Sequence, residues 1–237
     1  MARLTRHELK HDELSDRLAI YLARIFKYRK LIISGAILVA AILIISLSGY
    51  FYIRSQQGAA SDALAQALTS FHAPVIAEPP PGTTMLSFPS DEEKFQQAFT
   101  EFTDVDDIYS GYAAGHFARY YTALCQREMN QRAEAELAFQ TLTYDSNAEV
   151  ASLARLSLAD LYATDNRETE AISLLQELAD TPTDVVPRTR AQFELADLLE
   201  QSDPATAATL YREIQDAYAG TLIAEQAMQR LEQLPQH

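Results

Sequence analysis

Five residues near the N-terminus, His7-Glu8-Leu9-Lys10-His11, have the spacing H-E-x-x-H. On a helix that spacing sets two imidazoles one turn apart on one face, suited to zinc, with the glutamate placed as a general base. The surroundings do not support the chemistry. A third ligand is needed, and between His11 and the long apolar run downstream the carboxylates are Asp12, Glu13 and Asp16, all too close. The next histidine, His72, lies beyond that run, and no cleft-forming domain surrounds the motif to supply an outer shell. The expected role of this segment is a charged amphipathic tail, with Leu9, Leu14, Leu18, Tyr21 and Leu22 as its apolar stripe. Cys125 is the one cysteine, so no internal disulfide can form, and its apolar helical setting predicts a thiol packed as a small hydrophobe. There is no Gly-rich phosphate loop, no Cys/His cluster and no G-x-S-x-G elbow. Asp and Glu are plentiful without a cleft to gather them. The expectation is a protein that is no enzyme, with no catalytic residue, no metal and no cofactor.

The elements that carry these residues are helical. Hydrophobic residues make up 48 % of the 237, with 7 Gly, 9 Pro and no Trp, a balance that favours helix over sheet. The formal charge of −14 is unevenly spread. Residues 1–30 hold eight Lys/Arg against four Asp/Glu, about +4, and the rest carries about −18. Such asymmetry implies two environments. The acidic part argues against nucleic acid and anionic headgroups, both of which it would repel.

Leu31 to Ile53 reads LIISGAILVAAILIISLSGYFYI, with no charge in 23 positions. A run of ~20 apolar residues crosses the hydrocarbon core as a helix. Tyr50 and Tyr52 stand at its far end, where an aromatic belt belongs. A cleaved signal peptide would have a shorter apolar region and a small-residue cleavage site, whereas bulky Tyr50 to Arg54 close this one. Arg24, Lys27, Arg29 and Lys30 precede the span and Arg54 alone follows closely. The expected topology is a cytoplasmic tail (1–30), a bilayer-spanning helix (31–53) and an exported domain (54–237), periplasmic at the bacterial inner membrane.

The exported part repeats itself. Ala98, Phe102 and Val105 form a small–large–aliphatic triplet at i, i+4 and i+7. It recurs as Ala135, Phe139 and Leu142, as Ala171, Leu175 and Leu178, and as Ala207, Tyr211 and Ile214, at offsets of 37, 36 and 36. Each triplet is one face of a buried helix, and the small residue admits a close neighbour. A partner helix precedes three of them, marked by Ala123, Ala159 and Ala196. Helix–turn–helix units of ~34 residues are the mark of a solenoid. The first unit is distorted. Its leading helix, 55–71, points Ala60, Leu64, Ala67, Leu68 and Phe71 inward, and a Pro-rich loop from His72 follows. Ser90 and Glu93 then form a capping box. A last helix, 221–234, carrying Leu222, Ala227, Met228, Leu231 and Leu234, is expected to cap the array.

At this point the chain resembles a known group. LADLY–loop–EAISLLQEL (158–178) is similar to a tetratricopeptide repeat, with Leu158, Ala159, Tyr162, Ala171, Leu175 and Leu178 at the family's main positions and Pro182 one residue before its closing proline. No tryptophan is present, and Ala123, Ala159 and Ala196 replace the family's glycine, so the match is to a divergent version. The whole layout resembles the ancillary subunits of the bacterial Sec translocon. That resemblance implies docking beside the translocon and passing secreted chains to periplasmic chaperones. It brings no catalytic residues. It also implies a concave binding surface on the first helix of each pair, placing Phe117, Tyr120, Leu124, Arg127, Asp160, Arg190 and Asp197 on or near it. Aromatic anchors with charged neighbours suit extended clients, although Phe117, Tyr120 and Leu124 equally fit packing between helices. A membrane-anchored scaffold or chaperone-like factor is the expected function. The alternative is an adaptor in envelope assembly, cell division or polysaccharide export.

Overall fold

The computed structural model describes residues 29–78 and 84–234. The tail with His7 and His11, and prolines 79–81, lie outside the described residues. Among the described residues the chain is all-α: α1 (Arg29–Phe71), α2 (Asp91–Tyr109), α3 (Ala113–Glu128), α4 (Arg132–Leu142), α5 (Ala148–Thr164), α6 (Glu168–Asp180), α7 (Arg188–Leu199), α8 (Pro204–Ala217) and α9 (Leu222–Gln233). A lone bridge between Val75 and Phe88 is the one β-type pairing described. Packing divides the chain between Gln56 and Gln57, inside α1.

The first unit is apolar and uncovered. Leu31, Ile37, Leu43, Ile45 and Phe51 all stand more than half exposed. An 18-residue window of α1 averages a hydropathy of 2.3 with no residue buried, and α1 is long and apolar enough to cross a membrane. Leaving such side chains in water costs about 25 cal/mol per Å², which a hydrocarbon surround removes.

The second unit is a stack of helix pairs. From α2 on, each helix packs against the next, and α3 also meets α5 across a pair. The four triplets are its spine: all twelve residues from Ala98 to Ile214 are buried, and the four alanines are fully so. Each large member contributes about 1.5–3 kcal/mol by leaving water. Ala123, Ala159 and Ala196 are likewise inaccessible, which allows paired helices to approach closely. The core forms two clusters. Ala60 and Ala67 of α1 join Phe95, Phe102 and Cys125 in the smaller one, and the regular repeats share the larger. Phe71 and Tyr121 touch both. Their rings lie 5.5 Å apart, edge to face, and Tyr121 stacks on Phe102 at 5.0 Å.

Helix ends follow their local chemistry. Ser90 accepts from the Glu93 amide (3.2 Å), Asn147 from the amides of Glu149 and Val150, and Asp203 from that of Thr206. The turns between α3 and α4 and between α5 and α6 pass through Asn130 (φ 61°) and Asn166 (φ 59°), 36 residues apart. Among side-chain-bearing residues, asparagine tolerates this left-handed region well. Gly115 is needed for another reason, since a Cβ there would collide with the Tyr109 carbonyl. Successive turns are tied to one another by Arg132–Asp165 (2.7 Å), Arg167–Glu136 (2.6 Å) and a hydrogen bond from Ser202 to Glu168. On the opposite edge the buried Asp145 accepts from Arg119 and pairs with His116. The loop after His72 is pinched at its base, Ile76 N–H donating to Phe88 O (2.8 Å) and Phe88 N–H to Pro74 O (3.1 Å).

The last helix buries only part of its apolar set. Leu222 is 70 % exposed and Met228 is 41 % exposed, so neither lies on the buried stripe. Ala224, Ala227 and Leu234 face the core, with Ile223 and Leu231 beside them.

Candidate functional site

The first helices of the pairs, α3, α5 and α7, each present a stripe of side chains to one cavity. On α3 it runs Tyr120, Leu124, Arg127, on α5 Leu153, Ser157, Asp160, and on α7 Arg190, Glu194, Asp197. Spacings of three to four residues bring each set onto one stripe. Corresponding positions such as Leu124, Asp160 and Asp197 recur at offsets of 36 and 37. Stacking the pairs lays these stripes side by side around a cavity of about 760 Å³. Phe71 and His72, at the end of α1, close one side of it.

The cavity has an aromatic wall and a charged lip. Phe71, Tyr120 and Tyr121 form the wall, with Leu124, Leu153, Leu156 and Leu198 continuing the apolar surface. Tyr120 is 8 % exposed, and its hydroxyl pairs with that of Ser157 at 2.9 Å across α3 and α5. Burial pushes the Tyr120 phenol up, so it stays a neutral hydrogen-bonding group. Arg127 reaches Asp160 at 3.4 Å but lies closer to its neighbour Glu128, at 3.0 Å. Arg190 and Glu194 stand 4.0 Å apart. Asp197 is held from behind by the Tyr211 hydroxyl and by Arg230 at 3.3 Å. Burial pushes the Glu194 carboxyl up, Arg190 opposes that shift, and Asp197 and Asp160 add to it.

Six of the seven residues expected at the binding surface line this cavity: Tyr120, Leu124, Arg127, Asp160, Arg190 and Asp197. Phe117 is elsewhere, half-buried against the larger core cluster. It lies one turn before Tyr120 and Tyr121, on the flank that meets the neighbouring helix. Leu153, Leu156, Ser157 and Glu194 carry no mark in the sequence that assigns them to the surface, and Phe71 is expected there only as an inward-facing core residue. The signal for those on α5 and α7 was the i, i+4, i+7 stripe opposite the buried one. For Phe71 no local pattern separates a groove wall from a core position.

The arrangement is chemically quiet. Among the described residues no group of three or more His, Cys, Asp or Glu is placed to hold a metal ion. Cys125 is inaccessible, and burial pushes its thiol up to about 12, so no thiolate is on offer at neutral pH. What the cavity offers is apolar area beside fixed charges, the makings of a seat for another chain.

No curated protein and no solved structure matches the chain. The profile of the tetratricopeptide repeat-like domain family matches residues 26–184, more than half of its length. That span runs from the start of α1 into the segment after α6, and the same stacked pairs continue through α7 to α9. Folds of this kind are protein-interaction scaffolds. On its fold, its repeat register and this match, the chain belongs to the tetratricopeptide repeat-like domain family.

Proposed function

We propose that this protein is a single-pass scaffold of the bacterial inner membrane that holds exported chains beside the Sec translocon. Residues 1–30 are cytoplasmic, 31–53 span the bilayer and 54–237 form the periplasmic array. Tyr120, Leu124, Arg127, Asp160, Arg190 and Asp197 take part in client binding. The observation that carries this reading is the cavity between the first helices, where an aromatic wall meets a charged lip. Extended or part-folded segments bury apolar side chains on such a wall, and flanking charges fix their direction. The uncovered apolar half of α1 and the basic residues before Leu31 support anchorage with the tail inside.

A photo-crosslinking amino acid in place of Leu153, which lines the cavity, tests the reading in native membranes. Recovery of translocon subunits and exported chains by mass spectrometry is the expected result. Recovery of division, envelope-assembly or polysaccharide-export proteins in their place would favour the adaptor alternative and end the translocon reading.

A further inference from the structure

We propose that the cavity selects extended segments in which a lysine or arginine stands beside an aromatic or aliphatic residue, the cation seated between Glu194 and Asp160 and its neighbour against the Phe71–Tyr121 wall. This rests on the reading of the cavity as the client site. It adds what that site prefers.

The carboxylates at the lip are unequally satisfied. Asp197 is occupied by Tyr211 and Arg230. Asp160 is 69 % exposed, and its cation, Arg127, is shared with Glu128 at a shorter distance. Glu194 and Arg190 stand at 4.0 Å, the outer limit of an ion pair, and among the described residues Glu194 makes no side-chain hydrogen bond. Two carboxylates with room for a better partner therefore face a cavity whose lining is divided about evenly between polar groups and the aromatic and aliphatic wall. An incoming ammonium or guanidinium gains charge-assisted bonds there, while its aliphatic stem lies along the apolar surface.

The two arginines do not make the site its opposite, a seat for an acidic segment. Arg127 is held by Glu128 and Asp160, and an anion drawn to the more loosely paired Arg190 would meet Asp160, Glu194 and Asp197 around it. The charge of about −18 carried beyond residue 53 repels acidic chains and draws basic ones at longer range. Partial burial of Glu194 points the same way. Its charged form is held at a disadvantage by the apolar surround and by Asp197 and Asp160, and a bound cation removes that disadvantage.

The test uses the full chain in nanodiscs of zwitterionic phosphatidylcholine, which hold no anionic lipid to compete for basic probes. Three labelled peptides share one Phe/Leu framework and differ at one central position, carrying Lys, Gln or Glu, and binding is read by fluorescence anisotropy. The Lys peptide should bind about tenfold more tightly than the Glu peptide, with Gln between them. Rising salt should weaken the Lys peptide and spare the Gln peptide. In the double variant Glu194→Gln with Asp160→Asn, isosteric changes at exposed positions, the Lys preference should fall to about twofold while Gln-peptide affinity holds. Circular dichroism confirms that the variant remains folded. Equal affinities for the three peptides, or a Lys preference untouched by the double variant, would overturn the charge selection and leave the client site standing. If no peptide binds, the Gln peptide included, the client-site reading falls and the preference with it.

Discussion

Glu194 and Cys125 show how one physical cause, burial, has opposite visibility in solution. Burial raises the Glu194 carboxyl in the folded chain, so the folded state holds that proton to higher pH than the unfolded chain does. The resulting destabilisation is absent below the ordinary carboxylate range and complete above the raised value. Glu194→Gln should therefore melt no lower than wild type at pH 7, and any gain should vanish as the pH falls below the ordinary range. A gain that grows on acidification would contradict the sign of the shift. Cys125, with its thiol pushed up to about 12 and no exposed surface, should resist a thiol reagent at pH 7.5 in the folded chain and react at once in denaturant. Rapid labelling of the folded chain would mean that α3 is not packed as described. Neither property was legible from residue type alone. The sequence supports Cys125 as a packed thiol, because its neighbours on α3 are apolar. It does not single out Glu194, whose surround comes from α5 as well as α7.

At the scale of helices, the four triplets were the readable part, because burial of one face is a local periodicity that any stacked neighbour imposes. The turn asparagines at positions 130 and 166 carry the same 36-residue offset, but asparagine is common in turns of every type, so its recurrence alone does not mark a repeat. Ala171 and Ala135 test the register directly. Each is fully buried where helices cross, so leucine there must push them apart, at ~1–3 kcal/mol or more for a tight crossing. Exposed Gln176 is a sound control and should accept alanine within about 0.5 kcal/mol. Glu170 is a poorer one, because it pairs with Arg167 at 2.6 Å. Thermal unfolding of the full chain in detergent reads all three variants, and equal tolerance at the three sites would dissolve the repeat register.

For the molecule as a whole, the proposed anchorage makes orientation decide what the cavity can meet. The proposed topology predicts that a phosphatase reporter fused after His237 is active and a cytoplasmic reporter fused there is silent. The reverse pattern would put the cavity in the cytoplasm, away from exported chains. The cavity itself was half legible. Charged and aliphatic residues on the first helices fell into place once the pairs were counted, whereas its aromatic wall depends on where the distorted first pair delivers Phe71. Phe71 and Tyr121 pack against both core clusters, and the same two rings face the cavity. Whatever fills the cavity thus leans on the joint between an irregular front section and a regular rear one. An empty array can loosen at that joint while both sections remain intact. On the proposed client site, a seated segment spans that joint as a splint and should make the two sections melt as a single event.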